Sequence, residues 1–276
     1  MDGPAASAQG LGYFLSTQCP RWQTKLLKRH AAGAPCRHLN LPPLSGLGAT
    51  GKAAGAVCVR PNTERLHAMI LAAGRGERLR PLTDTTPKPM VMVQGKPLIQ
   101  WHLEALAAAH ISEVVINLAH LGDQIQSFAG SGAAFGLNIR YSQEPSGALE
   151  TAGGIATAQP WIDSLGQRSP QPFLVINADV FTDWPVTQAI SVAKDLTRMK
   201  SAQGEGSFPQ CHLVLVDNPE HRPLGDFGLD APDSQSGLQY VSRRPAAGGL
   251  TFSGIGVYDP ELFAAIRPGE RAALAP

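Results

Sequence analysis

The stretch Leu71-Ala72-Ala73-Gly74-Arg75-Gly76-Glu77-Arg78-Leu79-Arg80-Pro81-Leu82-Thr83-Asp84-Thr85-Thr86-Pro87-Lys88-Pro89 decides how this chain is read. Ahead of it, Ala68-Met69-Ile70-Leu71 is a short apolar run that reads as a buried strand. Small residues follow, with glycines at 74 and 76. Where no side chain intervenes, backbone N–H groups approach a ligand closely, and several can converge on phosphate oxygens. Two cations stand beyond, Arg78 and Lys88. Pro87 and Pro89 flank Lys88 and stiffen the backbone on both sides, so the lysine is held in place.

A strand followed by a glycine turn is common in α/β proteins. The dinucleotide fingerprint fails here, because position 79 is Leu79 where glycine is required. The P-loop fails too, since no Gly-Lys-Ser/Thr stands at the right spacing. The glycines alone therefore leave both a phosphate site and a plain turn open. The whole run is more specific. It resembles the signature of the sugar-1-phosphate nucleotidyltransferases, L-A-A-G-x-G-x-R-[LM]-x-P-L-T-x-x-x-P-K-P, and follows it without a gap. The resemblance implies an α/β, Rossmann-like doubly wound and mostly parallel sheet of the GT-A-like kind. It implies that Ala72, Ala73, Gly74, Gly76, Glu77, Arg78 and Lys88 bind the nucleotide, with Arg78 and Lys88 as the catalytic cations.

Composition sets the outer limits. The chain has 276 residues, 43% hydrophobic and 16% charged, enough apolar material for one large α/β domain with a tail or two small domains. A net charge of +1 gives no reason to expect a nucleic-acid partner. No apolar run reaches the length of a membrane span. Four cysteines without a C-x-x-C pair suggest neither a zinc site nor a disulfide framework, and a reduced, cytoplasmic compartment fits best.

Residues 1–65 differ from the rest. They are rich in Gly, Ala and Pro, hold Cys19, Cys36 and Cys58, and carry eight Lys or Arg against Asp2 and Glu64, a local net charge of +6. A transit peptide, a basic tail for an anionic partner, and a disordered or spurious extension all fit this composition. The favoured expectation is the last. The nucleotidyltransferase domain is expected over residues 66–276.

Further along, Leu98, Ile99, His102, Leu103 and Leu106 follow helical spacing. Val114-Val115-Ile116-Asn117 reads as a second buried strand, residues 121–128 as a short amphipathic helix and residues 137–141 as a third strand. Strand, helix, strand, helix, strand implies a doubly wound sheet. Ligands bind at the carboxyl ends of such strands, which brings Gly74, Asn117 and Glu144 near one another. Phe173-Leu174-Val175-Ile176-Asn177 is a further buried strand, and Cys211 starts another. Most of residues 194–210 reads as a polar surface loop. Residues 250–258 read as a strand whose two glycines would let a sugar ring approach the backbone.

Three more segments carry chemistry. Gln143-Glu144-Pro145-Ser146-Gly147-Ala148-Leu149-Glu150-Thr151-Ala152-Gly153-Gly154 reads as a loop entering a helix, with Glu150 suited to the first turn. By resemblance it is the wall against the nucleobase, with Glu150 and Gly153 binding the nucleotide. An Asp just past a buried strand, as in Asn177-Ala178-Asp179, suits either a helix cap or a Mg²⁺ ligand. The resemblance favours Mg²⁺ on Asp179, with Asn177 on the sugar phosphate. Asn218-Pro219-Glu220-His221-Arg222-Pro223-Leu224-Gly225-Asp226-Phe227 resembles N-P-x-H-x-P-x-G-D-F of the bacterial N-acetylmuramate-1-phosphate uridylyltransferases, which implies that Asp226 contacts the sugar.

Two departures stand against the family pattern. Some relatives carry a Glu-Lys-Pro whose lysine sits on the sugar phosphate, and the nearest stretch here is Ser242-Arg243-Arg244-Pro245, with Arg244 at the lysine's place. Relatives also continue to W-x-D-V-G-T-P, whose Asp is a second metal ligand, whereas the sequence ends at Pro276. The domain is therefore expected to be incomplete at its C-terminus. The expected reaction joins UTP and N-acetylmuramate 1-phosphate to give UDP-N-acetylmuramate and pyrophosphate in peptidoglycan recycling. The alternatives are a mannose- or glucose-1-phosphate guanylyl- or thymidylyltransferase, or an inactive nucleotide-binding fragment. No membrane partner is expected, and oligomeric state is not legible.

Overall fold

The computed structural model describes residues 13–14, 66–145, 149–163, 171–203, 208–220, 222–232, 238–242 and 248–274. The basic stretch and its three cysteines, and the segment Arg243-Arg244-Pro245, lie outside the described residues. The main elements in chain order are β1 (Ala68–Leu71), α1 (Leu98–Ala108), β2 (Glu113–Leu118), α2 (Gly122–Ala129), β3 (Asn138–Gln143), α3 (Glu150–Asp163), β4 (Phe173–Asn177), α4 (Gln188–Gln203), β5 (Cys211–Val216) and β6 (Thr251–Tyr258).

These strands form one sheet in the order β3-β2-β1-β4-β6-β5, with the two-residue strand Tyr13–Phe14 beside β5. β3, β2, β1 and β4 run parallel, and β6 is antiparallel to both β4 and β5. Alternate residues of each strand feed opposite faces. Ala68 and Ile70 pack with Ile99, Leu103 and Leu106 of α1, Ile125 of α2 and Leu196 of α4. Met69 and Val175 face the other way, against Ile155, Ala156 and Ile162 of α3. Because both faces are covered, the central strands are apolar throughout, as the runs at 68–71 and 173–176 suggested. This is the doubly wound, mostly parallel sheet expected from the sequence.

One element differs from expectation. Residues 194–203 are not loop but the second half of α4. Ala189, Val192, Ala193 and Leu196 are buried at helical spacing. The polar residues that suggested a loop form the other face, where Lys200 pairs with Asp259 at 3.1 Å and Glu261 at 2.6 Å. Among the described residues no helix is long and apolar enough to cross a membrane.

The topology places the site. After β1 the chain crosses to β2 on one side, and after β4 it leads to β5 and β6 on the other. The connections leaving two adjacent parallel strands diverge, which opens a crevice at their carboxyl ends.

Candidate active site

A cavity of about 400 Å³ occupies that crevice. Its lining brings together the turn after β1 (Ala72, Ala73, Gly74, Gly76, Glu77, Arg78), Lys88, the start of α3 (Glu150, Thr151), and Asn177 and Asp179 after β4. Asn117 and Glu144 also reach it, although they are only 3% and 5% exposed.

The turn after β1 is held by its own hydrogen bonds. Gly76 has φ +69°, a left-handed conformation that costs glycine little. Its carbonyl accepts from Leu79 N–H at 2.9 Å and from Thr83 Oγ1 at 2.9 Å. A Cβ on Gly76 would come within 3.0 Å of Thr83, whereas one on Gly74 would meet nothing within 4 Å. Gly76 therefore serves the turn, and Gly74 keeps the backbone open to the cavity. Lys88 opens a short 3-10 helix, Lys88–Met90, directly after Pro87.

Lys88 Nζ forms an ion pair with Asp179 Oδ2. Two loops 91 residues apart in sequence thus set opposite charges side by side on the cavity wall. His102, on α1, lies buried behind the Asp179 turn. Burial lowers its pKa, opposed by a hydrogen bond to the Val180 backbone and by the charge of Asp179.

The other wall is built differently. Glu150 has φ +61°, and its carboxylate is held by Arg271, Nη2 at 2.6 Å and Nε at 2.9 Å. Burial raises the pKa of Glu144, against hydrogen bonds from Asn117 and from Leu149 N–H that favour its charged form. Arg271 was not foreseen as part of this wall. Arg271 lies 121 residues from its partner, so no local pattern announces the pair.

Two expected residues lie off the cavity lining. Gly153 N–H donates to Ala272 O at 3.0 Å, and a Cβ there would fall 2.2 Å from Glu270 O. Its small size thus admits residues 270–272. Asp226 Oδ2 accepts from Phe252 N–H at 2.9 Å, and Oδ1 pairs with Arg222 at 2.9 Å, so it ties a loop to β6. The glycines of β6 follow the same logic. Gly254 makes room for Asn177 and Val180, and Gly256 for the Tyr258 ring.

Chemically, the cavity offers backbone amides and two cations on one side and a carboxylate beside one of those cations. Such a site works on polyanions through charge and position. Asp179 presents a carboxylate oxygen to the cavity. That suits Mg²⁺, which binds one or two carboxylates and completes its shell with water and phosphate. No cluster of three His, Cys, Asp or Glu able to hold a metal occurs among the described residues.

The family described as nucleotidyl transferase matches residues 67–205 of this chain. The N-acetylmuramate alpha-1-phosphate uridylyltransferase of Neisseria meningitidis serogroup B is 53% identical over 214 residues, covering 76% of this chain and 83% of that protein. A mannose-1-phosphate guanyltransferase of Gibberella zeae is 32% identical, over 68% of this chain but only 50% of that longer relative. Among solved structures, a putative glucose-1-phosphate thymidylyltransferase from Bacillus anthracis superimposes with a TM-score of 0.57 at 21% identity, covering 74% of this chain and 76% of that one. That last likeness is one of fold.

Proposed function

This chain belongs to the nucleotidyl transferase family, and from that premise we propose that it is a uridylyltransferase joining UTP to N-acetylmuramate 1-phosphate, releasing pyrophosphate and UDP-N-acetylmuramate. The observation that carries the reaction class is the contact of Lys88 with Asp179 inside a cavity that the signature turn also lines. The choice of substrates is supported by the 53% identity to the meningococcal relative and by the segment at 218–227.

A phosphate oxygen of the sugar 1-phosphate attacks the α-phosphorus of UTP. A new P–O bond forms, the bond from the α-phosphorus to the bridging oxygen breaks, and its electron pair leaves with pyrophosphate. The attacking phosphate is already ionised at neutral pH, so the step requires no general base. The physical difficulty is to bring two polyanions together and hold the charge that grows on the leaving group. Amides of residues 72–76 cradle phosphate oxygens, Arg78 faces the outer phosphates and Lys88 lies between them. A Mg²⁺ held by Asp179 would neutralise phosphate charge and orient the triphosphate when bound. Asn177 is assigned to the sugar phosphate. Glu150 and Thr151 border the base, with Arg271 fixing Glu150. Such a product belongs to peptidoglycan recycling, and a cytoplasmic location goes with that role.

The second reading, mannose-1-phosphate guanylyl transfer, is favoured by the fungal relative at 32% identity. One assay separates them: pyrophosphate release from UTP, GTP and dTTP, each with N-acetylmuramate, mannose and glucose 1-phosphates. UTP with N-acetylmuramate 1-phosphate is expected to give the largest kcat/KM. A larger value for GTP with mannose 1-phosphate would replace the proposed substrates. Release from none of the pairs would remove the enzyme reading.

A further inference from the structure

Beside the cavity, three hydrogen bonds join its two walls. Ala72 N–H, in the phosphate-side turn, donates to Asn117 Oδ1 at 2.7 Å. Asn117 Nδ2 donates to Glu144 Oε1 at 2.6 Å. From the base side, Leu149 N–H donates to Glu144 Oε2 at 3.3 Å. Both side chains are almost fully buried. Their backbones are fixed by the sheet: Asn117 lies opposite Leu71 in register, and Glu144 N–H donates to Leu118 O at 2.8 Å. Gly154 closes over the pair. A Cβ there would sit 2.6 Å from Glu144 Oε1 and 2.9 Å from Asn117 Nδ2, which gives the second glycine of the Gly153-Gly154 pair its reason.

The bonds have a direction. Every donation runs toward residue 144, from Ala72 through Asn117 on one side and from Leu149 on the other. An ionised carboxylate, with two acceptor oxygens and no donor of its own, closes this pattern. An amide at 144 would point its NH₂ at another donor whichever way it turned. Flipping Asn117 in response would set its own NH₂ against Ala72 N–H.

We propose that Asn117 and Glu144 are positioning residues that hold the phosphate-side amides at a set spacing from the base-side wall, so that one nucleoside triphosphate is gripped at both ends. This rests on the reading of the cavity as a triphosphate site. Neither residue needs to touch the substrate. Each acts through the backbone it holds, Asn117 through Ala72 and Glu144 through Leu149, which directly precedes Glu150 and Thr151.

The direction of the bonds supplies the test. Asn117→Asp alone sets two carboxylates against each other. Glu144→Gln alone sets two donors together. In the double variant the pattern closes again: Ala72 N–H donates to Asp, Gln donates its NH₂ to the other Asp oxygen, and its carbonyl accepts from Leu149 N–H. Formal charge is the same as in the wild type. Two quantities are measured on the full chain: melting temperature without ligand, and UTP affinity with magnesium by calorimetry. Each single variant is expected to melt several degrees lower, about 3–8 °C, and to bind UTP about tenfold more weakly or worse. The double variant is expected to recover the melting temperature and to bind within about threefold of wild type.

Single variants that bind as wild type overturn the proposal. So does a double variant whose melting temperature recovers while its affinity does not, because the network would then be structural alone or Glu144 would touch the ligand itself. If a single variant does not fold, the double variant decides: binding near wild type supports the proposal and lost binding overturns it. A wild-type chain that binds no triphosphate removes the nucleotidyltransferase reading along with the positioning role. A wild-type chain that binds UTP beside an unrestored double variant removes the positioning role alone.

Discussion

Lys88 shows how much one residue can say when its neighbours constrain it. Between Pro87 and Pro89 its backbone has little freedom, and the fold turns its ammonium onto Asp179 from a different loop. The pair is partly exposed, 27% and 38% by side chain, so it contributes little to stability, about 1 kcal/mol or less. Under the proposed reaction its contribution is to catalysis. Lys88→Ala is expected to lower turnover by roughly 100- to 1,000-fold, about 3–4 kcal/mol, with a nearly unchanged melting temperature. Steady-state turnover within a few-fold of wild type would take Lys88 out of the mechanism. His212 on β5 carries the opposite kind of effect, on stability and away from the site. Burial lowers its pKa from 6.5 to about 4. Between those values the unfolded chain binds the proton more readily than the folded one, so this contribution is complete above pH 6.5 and is lost as pH falls toward 4. At pH 5 the loss is about 2 kcal/mol. Urea midpoints at pH 7 and pH 5 should show it in the wild type and not in His212→Gln. An equal drop in both would assign acid sensitivity to other groups. A glycine in a sequence signals that something comes close, but not what. At 153 it is the backbone of residue 270, at 154 a buried carboxylate, and at 254 the side chains of Asn177 and Val180.

At the scale of elements, the central strands β1 and β4 were legible because burial on both faces leaves almost no polar residue to blur an apolar run. Helix α1 was legible from its spacing, with Leu98, Ile99, Leu103 and Leu106 buried as their pattern required. Helix α4 was hidden by composition: its exposed face is polar enough to read as loop, while Ala189, Val192, Ala193 and Leu196 carried the helical period all along. The start of α3 was legible as a loop entering a helix with Glu150 in its first turn, but the contacts that hold it were not. Its contacts come from residues 267–274, through Gly153 N–H to Ala272 O, Ala272 N–H to Leu149 O, and Arg271 to Glu150. Gly153→Ala therefore tests an element and not a ligand contact. It should force residues 270–272 away and destabilise the fold by about 1–3 kcal/mol, with faster tryptic cleavage at Arg271. An unchanged melting temperature and cleavage rate would mean that the segment is not bound there in solution.

For the whole molecule, the sheet order decides where chemistry can occur. β1 and β4 are neighbours whose following segments leave in opposite directions, and residues far apart in sequence meet at that parting. The contiguous signature made half of the meeting point readable: Gly74, Gly76, Arg78 and Lys88 were named from one uninterrupted run. The strand end alone left Asp179 open between a cap and a ligand, and the family resemblance singled it out; the closeness of Asn117 and Glu144 came from the rule for open sheets. What stayed out of reach were contacts set only by folding, such as Arg271 on Glu150 and the use of Asp226 to tie a loop to β6. The central claim is that two loops share one magnesium-bound triphosphate, with Lys88 on one loop and Asp179 on the other. It is tested most directly by titrating UTP into the wild type and into Asp179→Asn, each with and without magnesium. Magnesium should tighten UTP binding by about tenfold or more in the wild type and change it little in the variant. Equal magnesium dependence in both proteins, or no heat from the wild type under any condition, would contradict the account.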